Sequence, residues 1–131
     1  MSEVGLKYDD SKLRMDLIPP ESQYGLAMVL TYGAAKYSAE NWRAGISYKR
    51  VYGALQRHLT AWYSGEEVDP ESGMSHLWHA LFGLAVLSTY EAHSEDYAGF
   101  DDRIKHTNII SPEFFKDFIS ETMEKFKNVS K

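Results

Sequence analysis

The chain of 131 residues has no cysteine. That excludes disulfides, thiol nucleophiles and thiolate zinc sites, and leaves histidine and carboxylate as the side chains able to hold a metal. No apolar run approaches the ~20 residues a membrane span requires, and the opening MSEVGLKYDD has no basic stretch leading into an apolar one. The expectation is a cytoplasmic protein with no membrane partner. Positive charge is also in deficit, with 14 Lys and Arg against 19 Asp and Glu, a net charge of -5 and a pI near 5.5. Such a balance argues against a nonspecific grip on nucleic acid, and a phosphate ligand would have to be held by divalent metal and a few placed cations.

What the chain does have is apolar and aromatic mass, 44% hydrophobic residues with 9 tyrosines and 3 tryptophans, the make-up of an ordered globular protein. At 131 residues it is expected to form a single domain over 1–131, because a second core would have too little to bury. Residues 1–20 read as a polar arm ending in Pro19-Pro20, residues 21–92 as the core, and residues 93–131 as a loop and a last helix.

Within the core, Leu26, Val29, Leu30 and Gly33 recur at helical spacing between Glu21 and Lys36, with Tyr24, Met28 and Tyr32 on a neighbouring face. Ser47 is a plausible cap for a second helix to about Ser64, whose stripe is Tyr48, Val51, Tyr52, Leu55, Leu59 and Trp62. A third helix from about Met74 to Ala92 is apolar nearly all round, as the central helix of a core would be. The polar stretch 93–108 is long for a connection and suggests a lid or an oligomer contact. Ser111-Pro112-Glu113 is a helix start, and Phe115, Phe118, Ile119, Thr122 and Phe126 give the last helix one apolar face. With strand signals weak throughout, the fold class is all-α.

Three of the five histidines and four carboxylates fall between Arg57 and His79. If the second and third helices pack antiparallel through a short loop, His58 lies shortly before the corner, His76 and His79 shortly after it, and Glu66, Asp69 and Glu71 within it. A core histidine is more often hydrogen-bonded than ligating, and an acidic loop more often solvated. Convergence changes that balance, since so many polar groups at one corner are costly unless paired or metal-bound. The set His58, Glu66, Asp69, Glu71, His76 and His79 is therefore the candidate metal site. Carboxylate excess favours Mg²⁺ or Mn²⁺, and the imidazoles make Co²⁺ acceptable.

KYDDSKLRMDLIPP near the N-terminus, then LTYGAAKY with ENW, then RHLTAWYSGEEVDPESGMSHLWHAL, together resemble the phage dATP/dGTP diphosphohydrolase domain proteins, compact relatives of the MazG-like all-α nucleoside triphosphate pyrophosphohydrolases. The likeness runs over roughly residues 5–92. It implies a MazG-like bundle of about four to five helices that cuts a purine nucleoside triphosphate between its α- and β-phosphates. The chain departs from the broader pattern of paired acidic ExxE and ExxD segments: Glu66-x-x-Asp69 and His76-x-x-His79 stand roughly where those would be.

On that resemblance Glu66, Glu71 or His79 would take the proton from water, and Lys7, Lys12 and Arg14 would pair with the β- and γ-phosphates. Lys36 and Arg57 are further candidates for phosphate or structural ion pairing, Arg57 for structure in particular. Asn41 and Trp42 would contact the base. An HD-type phosphohydrolase is the rival enzyme, although no adjacent His-Asp pair occurs in the chain. A noncatalytic helical interaction module is the third reading. Helices one and three carry apolar residues on more than one face, an excess for a four-helix monomer of this size, which predicts a homodimer or a tetramer built as a dimer of dimers.

Overall fold

The structure is a computed structural model, described here for residues 4–104 and 111–127. It contains four α-helices and no β-strand among the described residues: α1 (Pro20–Lys36), α2 (Tyr48–Tyr63), α3 (His76–Ala92) and α4 (Pro112–Phe126). Single helical turns at Met15–Leu17, Asn41–Ala44 and Ala98–Phe100 interrupt the connections. Each α-helix start has a local cause. Pro20 and Pro112 occupy first-turn positions where a missing N–H costs nothing. The hydroxyls of Ser47, Ser75 and Ser111 accept the first free amides of α2, α3 and α4.

α3 is the central helix, as its all-round apolarity implied. Both α1 and α2 pack along it and scarcely touch each other, so a groove remains between them with α3 as its floor. Close approach is allowed by glycine. A Cβ on Gly25 would run into the indole of Trp78, and one on Gly83 would crowd Leu55. The third helix begins at His76 rather than at Met74, because Met74 and Ser75 are used in a short pairing across the corner, with Val68 bridged to Ser75.

At the end of the molecule away from that corner the core is aromatic. Tyr90 is fully buried, stacks on Tyr48 with ring centres 5.4 Å apart, and donates its hydroxyl to the Trp42 carbonyl at 2.6 Å. Tyr97 and Phe100 from the chain after α3 fold back onto the same cluster. Gly45, at φ 111°, is required there because the Phe100 ring occupies the space its side chain would need. The Asp102 carboxylate then accepts from the Ser47 hydroxyl and the Lys49 amide, fastening this stretch across the start of α2. The connection expected over 93–108 is thus a strap as far as Ile104, and 105–108 lie outside the described residues.

Burial is less complete than the apolar patterns suggested. On α2, Tyr48, Val51 and Leu55 are buried, but Tyr52, Leu59 and Trp62 from the same stripe are exposed. Tyr24 and Met28 on α1 and the whole apolar face of α4 are exposed as well.

Candidate functional site

α2 stops at Tyr63, where Ser64 and a left-handed Gly65 (φ 101°) turn the chain. The loop back to α3 is held by its own backbone. The Asp69 amide donates to Met74, the Gly73 amide to Asp69, and the His76 amide to Glu67. The Asp69 side chain completes the turn, its Oδ1 accepting from the amides of Glu71 at 2.7 Å and Ser72 at 3.2 Å. Its other oxygen, Oδ2, is left facing His58 Nδ1 at 3.7 Å.

Three imidazoles meet at this carboxylate. His76 is buried, and its Nε2 lies 2.7 Å from Glu66 Oε1, so the carboxylate fixes the proton on that nitrogen and leaves Nδ1 with a lone pair. That Nδ1 faces the Nδ1 of His58 at 2.9 Å. Two ring nitrogens so close must share a proton or a cation. One potential ligand atom from each of His58, Asp69 and His76 lies within 4.8 Å of the other two. His79 stacks on His58 with ring centres 4.5 Å apart and planes 9° apart, and its Nε2 lies 2.7 Å from the Ser72 hydroxyl.

Protonation follows from these surroundings. Burial pushes His58 and His79 below the ordinary imidazole value of 6.5, each being further discouraged from protonating by neighbouring imidazoles, with Asp69 pulling the other way. Burial works against the Asp69 carboxylate too, but the two amides that donate to it, and the adjacent His79 and His58, hold it below its usual 3.8. At neutral pH His58 and His79 are therefore neutral imidazoles beside an ionised Asp69 carboxylate. This donor set fits a divalent cation, and its nitrogen content suits Mn²⁺ or Co²⁺ at least as well as Mg²⁺.

The groove between α1 and α2, about 1130 Å³, opens directly onto the corner. His58, Asp69, Glu71, Ser72 and His79 line it, whereas Glu66 and His76 are not among its walls. Glu66 stands behind His76 and positions it. Glu71 is at the lip, where Lys36 reaches across from α1 to form an ion pair of 2.5 Å that holds the ammonium protonated well above its usual range. Asn41 and Trp42 form part of the far wall. Trp42 also packs on the aromatic cluster, with Arg43 over its ring at 4.5 Å.

The N-terminal cations are elsewhere. Arg14 pairs with Asp16, and Lys7 and Lys12 are exposed and do not line the groove. Two groups that sequence reading passed over belong to the site region. Ser72 is the partner of His79; its spacing of seven from that histidine is visible only once the turn is known. Arg50 lines the groove with Arg57, and the signal for it, the one-face spacing of residues 50, 54, 57 and 58, was present in the sequence.

No solved structure matches the chain. A protein named dATP/dGTP diphosphohydrolase from Salmonella phage PMBT28 is 35% identical over 84 residues, which is 64% of this chain and 29% of that protein. The chain thus spans under a third of the length of that relative. The family described as "dATP/dGTP diphosphohydrolase, N-terminal" matches residues 2–103, a span that takes in the arm, α1 to α3, the histidine corner and the strap. By that match the chain belongs to the dATP/dGTP diphosphohydrolase N-terminal family.

Proposed function

We propose that the protein hydrolyses a purine (d)NTP to the (d)NMP and pyrophosphate, using a divalent ion held by His58, Asp69 and His76. The observation that carries this reading is the convergence of those three donors, with Glu66 orienting His76 from behind, at the mouth of a groove large enough for a nucleotide. The name of the phage relative supports the substrate class. A bound ion supplies charge neutralisation at the phosphate oxygens and lowers the pKa of a water.

The chain's own groups do the rest. His79, neutral at pH 7 and lining the groove, accepts a proton from the attacking water, with Ser72 fixing its ring. A bond forms from water oxygen to the α-phosphorus, the bond from that phosphorus to the α–β bridging oxygen breaks, and pyrophosphate leaves with the bridging oxygen. Glu71 at the lip is a second carboxylate available to a metal once Lys36 turns to a phosphate. Asn41 and Trp42 meet the base at the far wall. Among purines we favour guanine, because the sequence blocks resemble those of MazZ, a phage enzyme that yields dGMP for 2-aminoadenine nucleotide synthesis.

We further propose that the working unit is a homodimer or tetramer. Tyr24 and Met28 on α1, Tyr52, Leu59 and Trp62 on α2, and the phenylalanines of α4 are large apolar side chains left exposed on one chain, which a second copy would cover. In such an assembly the arm, with Lys7, Lys12 and Arg14, is free to close over a neighbouring groove.

Purified protein incubated with each common dNTP and NTP, with Mg²⁺, Mn²⁺ or Co²⁺ and with EDTA, tests the reaction by ion-exchange analysis of products. Monophosphate plus pyrophosphate, lost in EDTA, is the expected result. Nucleoside plus triphosphate would favour the HD-type reaction instead. Absence of any turnover would leave a helical binding module.

A further inference from the structure

Arginine pairing divides the chain's five arginines into two groups. Arg14, Arg43 and Arg103 each hold a carboxylate, Asp16, Glu40 and Asp101 respectively. Arg50 and Arg57 have no carboxylate partner among the described residues, in a chain with 19 acidic side chains against 14 basic ones. In such a chain, unpaired guanidiniums call for an explanation.

Both lie on the wall that α2 gives the groove. Seven residues apart, they are separated by nearly two helical turns, roughly 10 Å of rise, on the same face. The positions between them on that face are Gly53 and Ala54, which also line the groove and leave it open to a ligand lying along the helix. Arg57 Nη1 stands 3.4 Å from where a Cβ on Gly53 would be. Its guanidinium is therefore folded back over the bare stretch. Arg57 also immediately precedes His58, so this cationic strip begins where the histidine corner ends.

We infer that Arg57 and Arg50 form a polyphosphate subsite, which holds the β- and γ-phosphates of the substrate while the α-phosphorus lies at the histidine corner. A planar guanidinium takes two oxygens of a phosphate at once and keeps its charge, which suits it to the β- and γ-phosphates that leave as pyrophosphate. The subsite rests on the hydrolase reading for its position relative to the bond that breaks. Pyrophosphate leaves carrying the bridging oxygen and its electron pair, and the two guanidiniums offset the charge that accumulates on it. The strip thereby selects triphosphates over monophosphates and directs the cut to the α–β bond.

The probes are inorganic tripolyphosphate and pyrophosphate, titrated calorimetrically into the full chain, once with EDTA and once with Mn²⁺. Variants Arg50→Gln, Arg57→Gln, the double variant and Arg57→Lys are compared with the parent, and circular dichroism checks their folding. The double variant is expected to bind both anions about tenfold more weakly or worse, with Arg57→Lys intermediate and affinity for Mn²⁺ alone unchanged. Equal binding by the double variant, or no anion binding by the parent in either condition, overturns the subsite. Turnover is scored separately. Anion binding that depends on the arginines, without hydrolysis of any nucleotide, would remove the hydrolase reading and keep the subsite. Hydrolysis with unaltered pyrophosphate inhibition in the double variant would do the reverse.

Discussion

The two ends of the α2–α3 pair are built on opposite principles. At one end Tyr48, Tyr90, Tyr97 and Phe100 fill space with rings, and the polar groups there are matched: the Tyr90 hydroxyl has the Trp42 carbonyl, the Tyr97 hydroxyl the Arg43 carbonyl, and Asp102 the start of α2. At the other end His58, His76, His79 and Asp69 are partly satisfied by one another, with nitrogen facing nitrogen and a carboxylate oxygen left turned toward the groove. A fold stabilised only by packing would not need the second arrangement, because gathering ionisable groups out of water costs hydration that aromatic rings do not have to give up. The aromatic end supplies the rigidity that holds the histidine end in place and open to a ligand.

Asp69 is where that contrast breaks most sharply, since one oxygen builds the turn and the other faces His58. Asp69→Asn keeps an acceptor for the amides of Glu71 and Ser72 and removes the charge. Turnover should fall by on the order of a hundredfold or more with the melting temperature little changed, whereas Asp69→Ala should also lower the melting temperature. Asp69→Asn with near-normal activity would remove the carboxylate from the site. Glu66→Gln comes next. Its carboxylate touches His76 and not the groove, so the expected loss is in metal affinity, roughly 10- to 100-fold, read by Mn²⁺ titration, with product identity unchanged. Tyr90→Phe tests the other end. It removes one of the two donors to the Trp42 carbonyl, the Gly45 amide remaining, in a fully buried place, which should cost about 0.5–1.5 kcal/mol in chemical denaturation and leave Mn²⁺ affinity alone. A variant that loses metal binding in step with stability would show the two ends to be one unit.

Most of the fold was legible before any coordinates because its signals are local. Capping serines, Pro112 and helical spacing placed every helix to within a few residues, and Pro20, read as the end of the arm, is the first residue of α1. The histidine corner was legible for the same reason, since an antiparallel helix pair with a short loop can bring His58 to His76 in only one way. What escaped was everything fixed by side-chain choice at longer range. Lys36 could be seen as a cation but not as the partner of Glu71, 35 positions away. The strap could be seen as a long polar segment, while its fastening depends on Asp102 finding Ser47. Arg57 was weighted toward a structural ion pair, and among the described residues it has none. Sequence reveals that a charge exists, and only packing determines which opposite charges remain within its reach.

The smallest expected effect separates the two ends by pH. His58 and His79 have folded-state pKa values below 6.5, their ordinary value, so the unfolded chain takes up protons first on acidification. Their contribution is complete above about pH 6.5 and is lost as pH falls below it. Asp102 behaves otherwise. Its pKa is held below the usual 3.8 by the Ser47 hydroxyl and the Lys49 amide, so its fastening of the strap is complete above that value and fails only as pH drops further. In EDTA the melting temperature of the parent should therefore begin to fall below about pH 6.5, while the gap between the parent and Asp102→Asn should stay constant to about pH 4 and close beneath it. A gap that closes already near pH 6 would mean that protonating the histidines loosens the strap, and that the aromatic end does not hold its shape independently of the site it supports.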